Sequence, residues 1–198
     1  MKVIGITGGV GCGKSAILDG LSSRYRCFIL KADDAAKELE TKGHDCYDRL
    51  VDLLGDDILD DEGNIINRNM SAKIFANPKL LQAVNDIVHP AVREYILARI
   101  EEQKIEGIND YFFLEAALLI ECGYKAVVDE MWYIFAAEEV RYQRLKDSRG
   151  YSDEKIKSIM SSQLTDNEYR EASDFVVDNS NSLDEAMKMI EIRLSNGD

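Results

Sequence analysis

Between Val3 and Leu18 an apolar run, a stretch with four glycines in six residues and an apolar helical pattern follow one another without interruption: "VIGITGGVGCGKSAIL". Gly8, Gly13, Lys14 and Ser15 satisfy G-x-x-x-x-G-K-[ST]. A buried strand that turns through glycines into a helix can aim backbone N–H groups and a helix N-terminus at one anion, so the motif demands a strand-loop-helix opening. It makes Gly8, Gly9, Val10, Gly11, Cys12, Gly13, Lys14, Ser15 and Ala16 the wall of a phosphate cradle. Lys14 is placed to reach the β- and γ-phosphates, and the Ser15 hydroxyl to ligate Mg2+. The competing reading is a plain glycine turn with a solvated lysine.

The remaining pattern extends that opening into an α/β fold. "CFILKADD", "DYFFLEAALL", "EMWYIFAA" and "DFVVDN" are near-continuously apolar, as buried parallel strands are, so a five-stranded parallel sheet with helices on both faces is expected. Residues 34–106 read as helical: about 34–40, 45–54, a helix capped by Asn77 with Pro78 at its first position, and another starting near Pro90. "DDEGNI" reads as a turn. After the fourth strand, two charged helices flank Gly150 and the cap-like Ser152, the second carrying Ile156, Ile159, Met160 and Leu164. A last helix opens with the capping-box pattern Ser182 to Glu185 and carries Leu183, Ala186, Met187, Ile190 and Leu194.

A phosphate cradle serves several chemistries, and the rest of the chain selects among them. No N-K-x-D guanine-reading motif is present, and "FFLEAALL" holds Glu115 within a strand without the paired terminal carboxylates of a motor ATPase. A small-molecule kinase needs a carboxylate near the acceptor hydroxyl and arginines on a closing lid. Asp33 and Asp34 follow the second strand, where open α/β sheets place their ligand crevice, although either could simply cap the next helix. Arg144 and Arg149 flank the turn between the charged helices, as a bidentate phosphate clamp or as a solvated face.

Composition narrows the partners. With 24 basic against 37 acidic residues and a net charge of −13, the overall field repels nucleic acid, so an anionic substrate must meet locally clustered cations. The N-terminal apolar run is too short for a membrane span or a signal peptide, which points to a cytoplasmic protein with no membrane partner. Cys12, Cys27, Cys46 and Cys122 lack metal-ligand spacing and read as reduced structural thiols.

An ordered series of segments resembles the dephospho-CoA kinases along nearly the whole chain: "GITGGVGCGKS", "KADDAAKEL", "DDEGNIINR", "IVHP", "ALLIE", "QRLKDSRGYSDEKIKSIMSSQ" and "ASDFVVDNS". The resemblance implies a three-layer P-loop fold with a nucleotide-binding core (1–33 and 107–198), a helical acceptor-binding insertion (34–106) and a lid (139–170). It implies transfer of phosphate from Mg2+-ATP to the ribose 3′-hydroxyl of dephospho-CoA, by a monomer or weak homo-oligomer. Asp33 matches the proposed base, Arg144 the lid arginine at the ATP phosphates, and Asn179 the end of the final strand. Arg149 stands one residue further along than the pattern expects. Arg68, His89 and Glu121 match acceptor-side positions, each with a structural alternative: a surface ion pair, the anchoring of a helix start, a surface charge. Two residues depart from the pattern: Lys31 replaces the first aspartate of the D-x-D segment and Ala117 the proline before the two leucines. The alternatives are a kinase for another nucleoside or nucleotide, or an ATP-hydrolysing regulatory protein.

Overall fold

The first strand, β1 (Lys2–Thr7), buries every residue after the first, which for a run of alternating faces requires cover on both sides. The computed structural model, which describes residues 1–75 and 77–196, supplies it. β1 is the middle strand of a five-strand parallel sheet of order β2-β3-β1-β4-β5. The others are β2 (Cys27–Lys31), β3 (Tyr111–Glu115), β4 (Glu130–Phe135) and β5 (Phe175–Asp178). β1 runs parallel to β3 from Lys2↔Tyr111 to Ile6↔Glu115 and to β4 from Ile4↔Glu130 to Thr7↔Tyr133.

Helices α1 (Lys14–Arg24) and α9 (Leu183–Ser195) pack Ile17, Leu18, Leu21, Met187 and Ile190 against Ile4, Ile6, Phe113, Trp132 and Ile134. Burying these side chains contributes roughly 1.5–3 kcal/mol each before entropy is charged. At the strand starts, the Glu130 carboxylate takes hydrogen bonds from Lys2 Nζ (2.8 Å), Trp132 Nε1 (2.7 Å) and Arg193 (3.0 and 3.2 Å), joining β1, β4 and α9.

The chain divides into two compact units, residues 1–30 with 103–198, and residues 31–102. The second contains α2 (Ala32–Leu39), α3 (Asp45–Leu54), α4 (Asn67–Phe75) and most of α5 (Pro78–Glu106). Leu50 and Ile58 are fully buried in it. In "DDEGNI" the Asp60 carboxylate accepts from the backbone N–H groups of Glu62 and Asn64 (3.0 and 2.7 Å), and these bonds, those from Asn64 foremost, hold its carboxyl below the usual carboxylate range. That accounts for the acidic turn structurally.

Several boundaries differ from the sequence reading. Asn77 does cap a helix, its Oδ1 accepting from Lys79 N–H (3.1 Å), but no new helix starts at Pro90. α5 runs through that proline, because Val84, Ile87, Val92, Ile96 and Ile100 keep one apolar stripe on both sides of it. One missing N–H donor is outweighed by that burial. His89 therefore lies inside α5, exposed, and anchors no helix start. α2 begins at Ala32, so Asp33 and Asp34 occupy its first turn; the N-cap is Lys31, which makes no side-chain capping bond, and neither aspartate is a cap.

In the lid segment, α6 (Glu138–Arg149) ends at the left-handed Gly150, and α7 (Asp153–Ser161) is capped by Ser152, whose hydroxyl accepts from Lys155 N–H. Leu164 falls beyond α7, and a further helix, α8 (Asp166–Ala172), follows behind a reciprocal Thr165–Glu168 capping box. At α9 the box is half formed. Ser182 accepts from Glu185 N–H, but the Glu185 carboxylate takes Asn181 Nδ2 instead (3.1 Å), and Leu183 is exposed.

Candidate active site

The loop from Gly8 to Gly13 joins β1 to α1, and its backbone groups are sorted by direction of bonding. Its carbonyl oxygens, that of Gly11 apart, are occupied by the protein. Gly8 O accepts from Lys14 Nζ (2.8 Å), Gly9 O from Cys12 N–H (3.2 Å), and Val10 O from Arg141 Nε (2.9 Å). Cys12 O accepts from Asn179 Nδ2 (2.8 Å) and Arg144 Nη1 (3.3 Å), and Gly13 O from Ile17 N–H (3.2 Å). Among the described residues, the N–H groups of Gly11, Gly13 and Ser15 have no protein acceptor, and that of Lys14 meets the Cys12 thiol. Buried or semi-buried peptide donors seldom stay unpaired. Three such donors beside a helix N-terminus form an anion cradle.

Lys14 is 15% exposed, and its ammonium lies 3.7 Å from the Glu115 carboxylate, which is 15% exposed as well. The register Ile6↔Glu115 sets Glu115 at the end of β3, beside the end of β1. Sequence reading took Glu115 as a residue within a longer strand; β3 stops at it because the chain turns from Ala116 onward.

Four side chains from the far half of the core unit close on the same loop. Asn179 is 3% exposed, and its backbone N–H is fixed by Phe135 O (2.8 Å). Arg144 donates to Asn179 O (2.8 Å) as well as to Cys12 O. Arg141, one turn earlier on α6, also donates from Nη2 to Gln163 Oε1 (2.7 Å), and that oxygen accepts from Val10 N–H (3.1 Å). Sequence reading assigned Arg144 and Asn179 to this region and passed over Arg141. The available signal was the three-residue spacing of Arg141 and Arg144, which sets both on one helix face. Burial pushes the Cys12 thiol above its ordinary value, so it packs as an apolar group behind the loop. Below, Tyr133 and Tyr169 stack with centroids 4.7 Å apart. Burial, with the Glu121 carboxylate adding to it, pushes the Tyr169 hydroxyl up to about 12.

Arg149 is exposed at the end of α6 with its guanidinium 5.8 Å from the Tyr151 ring centroid, away from the loop contacts of Arg144. Glu121 is exposed in the turns after β3. Asp33, Arg68 and His89 are exposed residues of the second unit, and Asp34 pairs with Lys37 at 3.1 Å.

A parallel sheet whose middle strand feeds a glycine loop with free N–H donors, a lysine and flanking arginines defines a P-loop phosphotransferase of the small-kinase type. The fold is shared with the crystal structure of TT1252 from Thermus thermophilus (TM-score 0.82, 25% identity, 100% of this chain and 98% of that one). It is shared too with the dephospho-CoA kinase from Campylobacter jejuni (TM-score 0.73, 24% identity, 99% and 100%) and, more loosely, with a shikimate kinase from Acinetobacter baumannii (TM-score 0.55, 14% identity, 100% and 95%). A dephospho-CoA kinase family model matches residues 2–185. The dephospho-CoA kinases of Carboxydothermus hydrogenoformans (31% identity over 96% of this chain and 91% of that protein) and Dehalococcoides mccartyi (33%, 90% and 89%) are similar in sequence. The chain belongs to the dephospho-CoA kinase family.

Proposed function

We propose that this chain transfers the γ-phosphoryl group of ATP to the ribose 3′-hydroxyl of dephospho-CoA, giving coenzyme A and ADP. The observation that carries the reading is the sorted loop: the carbonyls of Gly8, Gly9, Val10, Cys12 and Gly13 tied back, the N–H groups of Gly11, Gly13 and Ser15 left for phosphate, in a chain of this family.

The loop N–H groups and Lys14 hold the β- and γ-phosphates, and Arg144, already bonded to the loop at Cys12 O, balances charge that builds on the transferring group. Asp33, two residues past β2, takes the proton of the 3′-hydroxyl as its oxygen bonds to the γ-phosphorus and the bond to the ADP oxygen breaks. Arg68, His89 and Glu121 serve the acceptor, and Arg149 and Asn179 the nucleotide side. In this reading residues 34–106 form the acceptor-binding part, 139–170 the lid, and the rest the nucleotide core.

An exposed hydroxyl at Ser15 and the Glu115 carboxylate are hard oxygen donors that suit Mg2+. When bound, Mg2+ withdraws charge from the phosphate oxygens. No helix among the described residues is long and apolar enough to cross a membrane.

The test is ADP formation by the purified chain with Mg2+-ATP, alone and with dephospho-CoA, with the product mass measured. Stimulation by dephospho-CoA and a product heavier by one phosphoryl group is the expected result. Stimulation by a different nucleoside or nucleotide, or none by any acceptor, overturns the substrate assignment or the kinase reading respectively.

A further inference from the structure

Among the described residues no carboxylate pairs with Arg141 or Arg144, whereas Lys146 on the same helix pairs with Asp153 and Arg170 on α8 with Asp166. In a chain with 37 acidic residues this is a selective arrangement. Arg141 directs its donors to one peptide carbonyl and one amide: Nε to Val10 O and Nη2 to Gln163 Oε1. Gln163 returns that oxygen to Val10 N–H, so the three residues close a ring of hydrogen bonds around Val10. The guanidinium also lies against Gly9, where an added Cβ would overlap it.

The consequence lies in how the cradle keeps its shape. In the later half of the loop Cys12 O is tied by Asn179 and Arg144, and Gly13 O by α1 itself. In the first half, Gly8 O is held by Lys14 and Gly9 O by Cys12 N–H, both within the motif, and Val10 is the point fixed on both its N–H and its C=O from the lid segment. A peptide plane free to rotate there would turn a carbonyl toward an incoming phosphate. Planar and forked, a guanidinium can hold a carbonyl and an amide oxygen at once; an ammonium offers a single point of charge.

We propose that Arg141 is a positioning residue for phosphoryl transfer. With Gln163 it locks the Val10 peptides of the cradle and couples that lock to the segment after α7. It acts through the loop rather than on the reacting atoms. The inference rests on the reading of the chain as an ATP-dependent kinase, and one arm of the test is independent of that reading.

The experiment compares Arg141→Met, Arg141→Lys, Gln163→Leu and the double variant Arg141→Met/Gln163→Leu. ADP affinity is measured by calorimetry without acceptor, and kcat and KM for ATP are measured with dephospho-CoA. Expected are ADP affinities weaker by about 10- to 100-fold in Arg141→Met and Gln163→Leu, a comparable fall in kcat/KM for ATP, and partial recovery in Arg141→Lys. The double variant should be no worse than the poorer single variant, because both break one ring. KM for dephospho-CoA should stay within about 2-fold, which a general loss of structure would not allow. The proposal is overturned if Arg141→Met binds ADP within 2-fold of the parent, or if the two single effects multiply. Should Arg141→Met not fold, the same limits apply to Arg141→Lys and Gln163→Leu. An active parent is not required for the ADP arm, so failure of the kinase reading would leave the affinities to decide the lock.

Discussion

Gly13 and Gly150 share a left-handed backbone, φ 93° and 59°, but differ in what surrounds them, and that difference can be measured. An alanine at either position meets the backbone cost of that region, about 1–2 kcal/mol. At Gly150 an added Cβ meets nothing within 4 Å, so the backbone cost is the whole effect. At Gly13 the Cβ would fall on Asn179 Nδ2, well inside the 3.0 Å floor for real contacts. Asn179 is 3% exposed and cannot swing into solvent, so its bond to Cys12 O breaks and a buried amide loses its partner, a further ~1–3 kcal/mol. Gly13→Ala should therefore cost about 2–5 kcal/mol and Gly150→Ala about 1–2. For a chain of this length that is a fall in Tm of roughly 5–15 °C against 2–6 °C. Thermal and urea unfolding followed by circular dichroism measure both. In an Asn179→Ala background the steric part disappears, and the Gly13→Ala penalty should shrink to that of Gly150→Ala. Equal costs for the two alanines in the parent chain would refute the reasoning, because the packing of Asn179 would then place no constraint on the loop.

Three other outcomes follow from the same geometry. Burial opposes the charge of Glu130, but the bonds from Lys2, Trp132 and Arg193 outweigh it and hold its carboxyl down at about 2, against 4.5 unperturbed. The stabilisation from that depressed group is complete above about pH 4.5 and is lost as pH falls toward 2, so Glu130→Gln should cost about 3 kcal/mol at pH 7 and ~1 kcal/mol less by pH 3.5; a penalty that does not change with pH removes the ion-pair account. Asp33→Asn should lower kcat by about 100- to 1,000-fold with ATP affinity within about 3-fold; full turnover would discard Asp33 as the base. Glu115→Gln should raise the Mg2+ needed for half-maximal rate about 10-fold, and an unchanged metal requirement would confine Glu115 to its contact with Lys14.

What the sequence made legible is what repeats locally. The glycine loop, the five apolar strands and the caps at Asn77, Ser152 and Ser182 each depend on a few adjacent residues, and each is found, although β3 is shorter than the apolar run that announced it. Pro90 misled because a local rule against proline yields to a stripe of five buried side chains spread over five turns. Glu115 and Arg141 were missed for a different reason. Their significance comes from the register of β3 on β1 and from a contact between residues 10 and 141; the spacing of Arg141 and Arg144 marks a shared helix face but not what that face meets.

Net charge shows why that distinction matters for function. A chain at −13 should repel a nucleotide triphosphate, and most of its paired cations make surface ion pairs: Arg26 with Asp110, Lys73 with Asp57, Lys125 with Asp174, Lys146 with Asp153. Such pairs cancel locally and contribute little field. Arg141 and Arg144 bond instead to neutral carbonyls and an amide, which orient the guanidiniums without cancelling them. Two undiminished positive charges thus stand against the backbone of a loop that has donors to spare. Attraction for phosphate is set by that local placement and not by the total, which is why acidic composition and an anionic substrate are compatible in this protein.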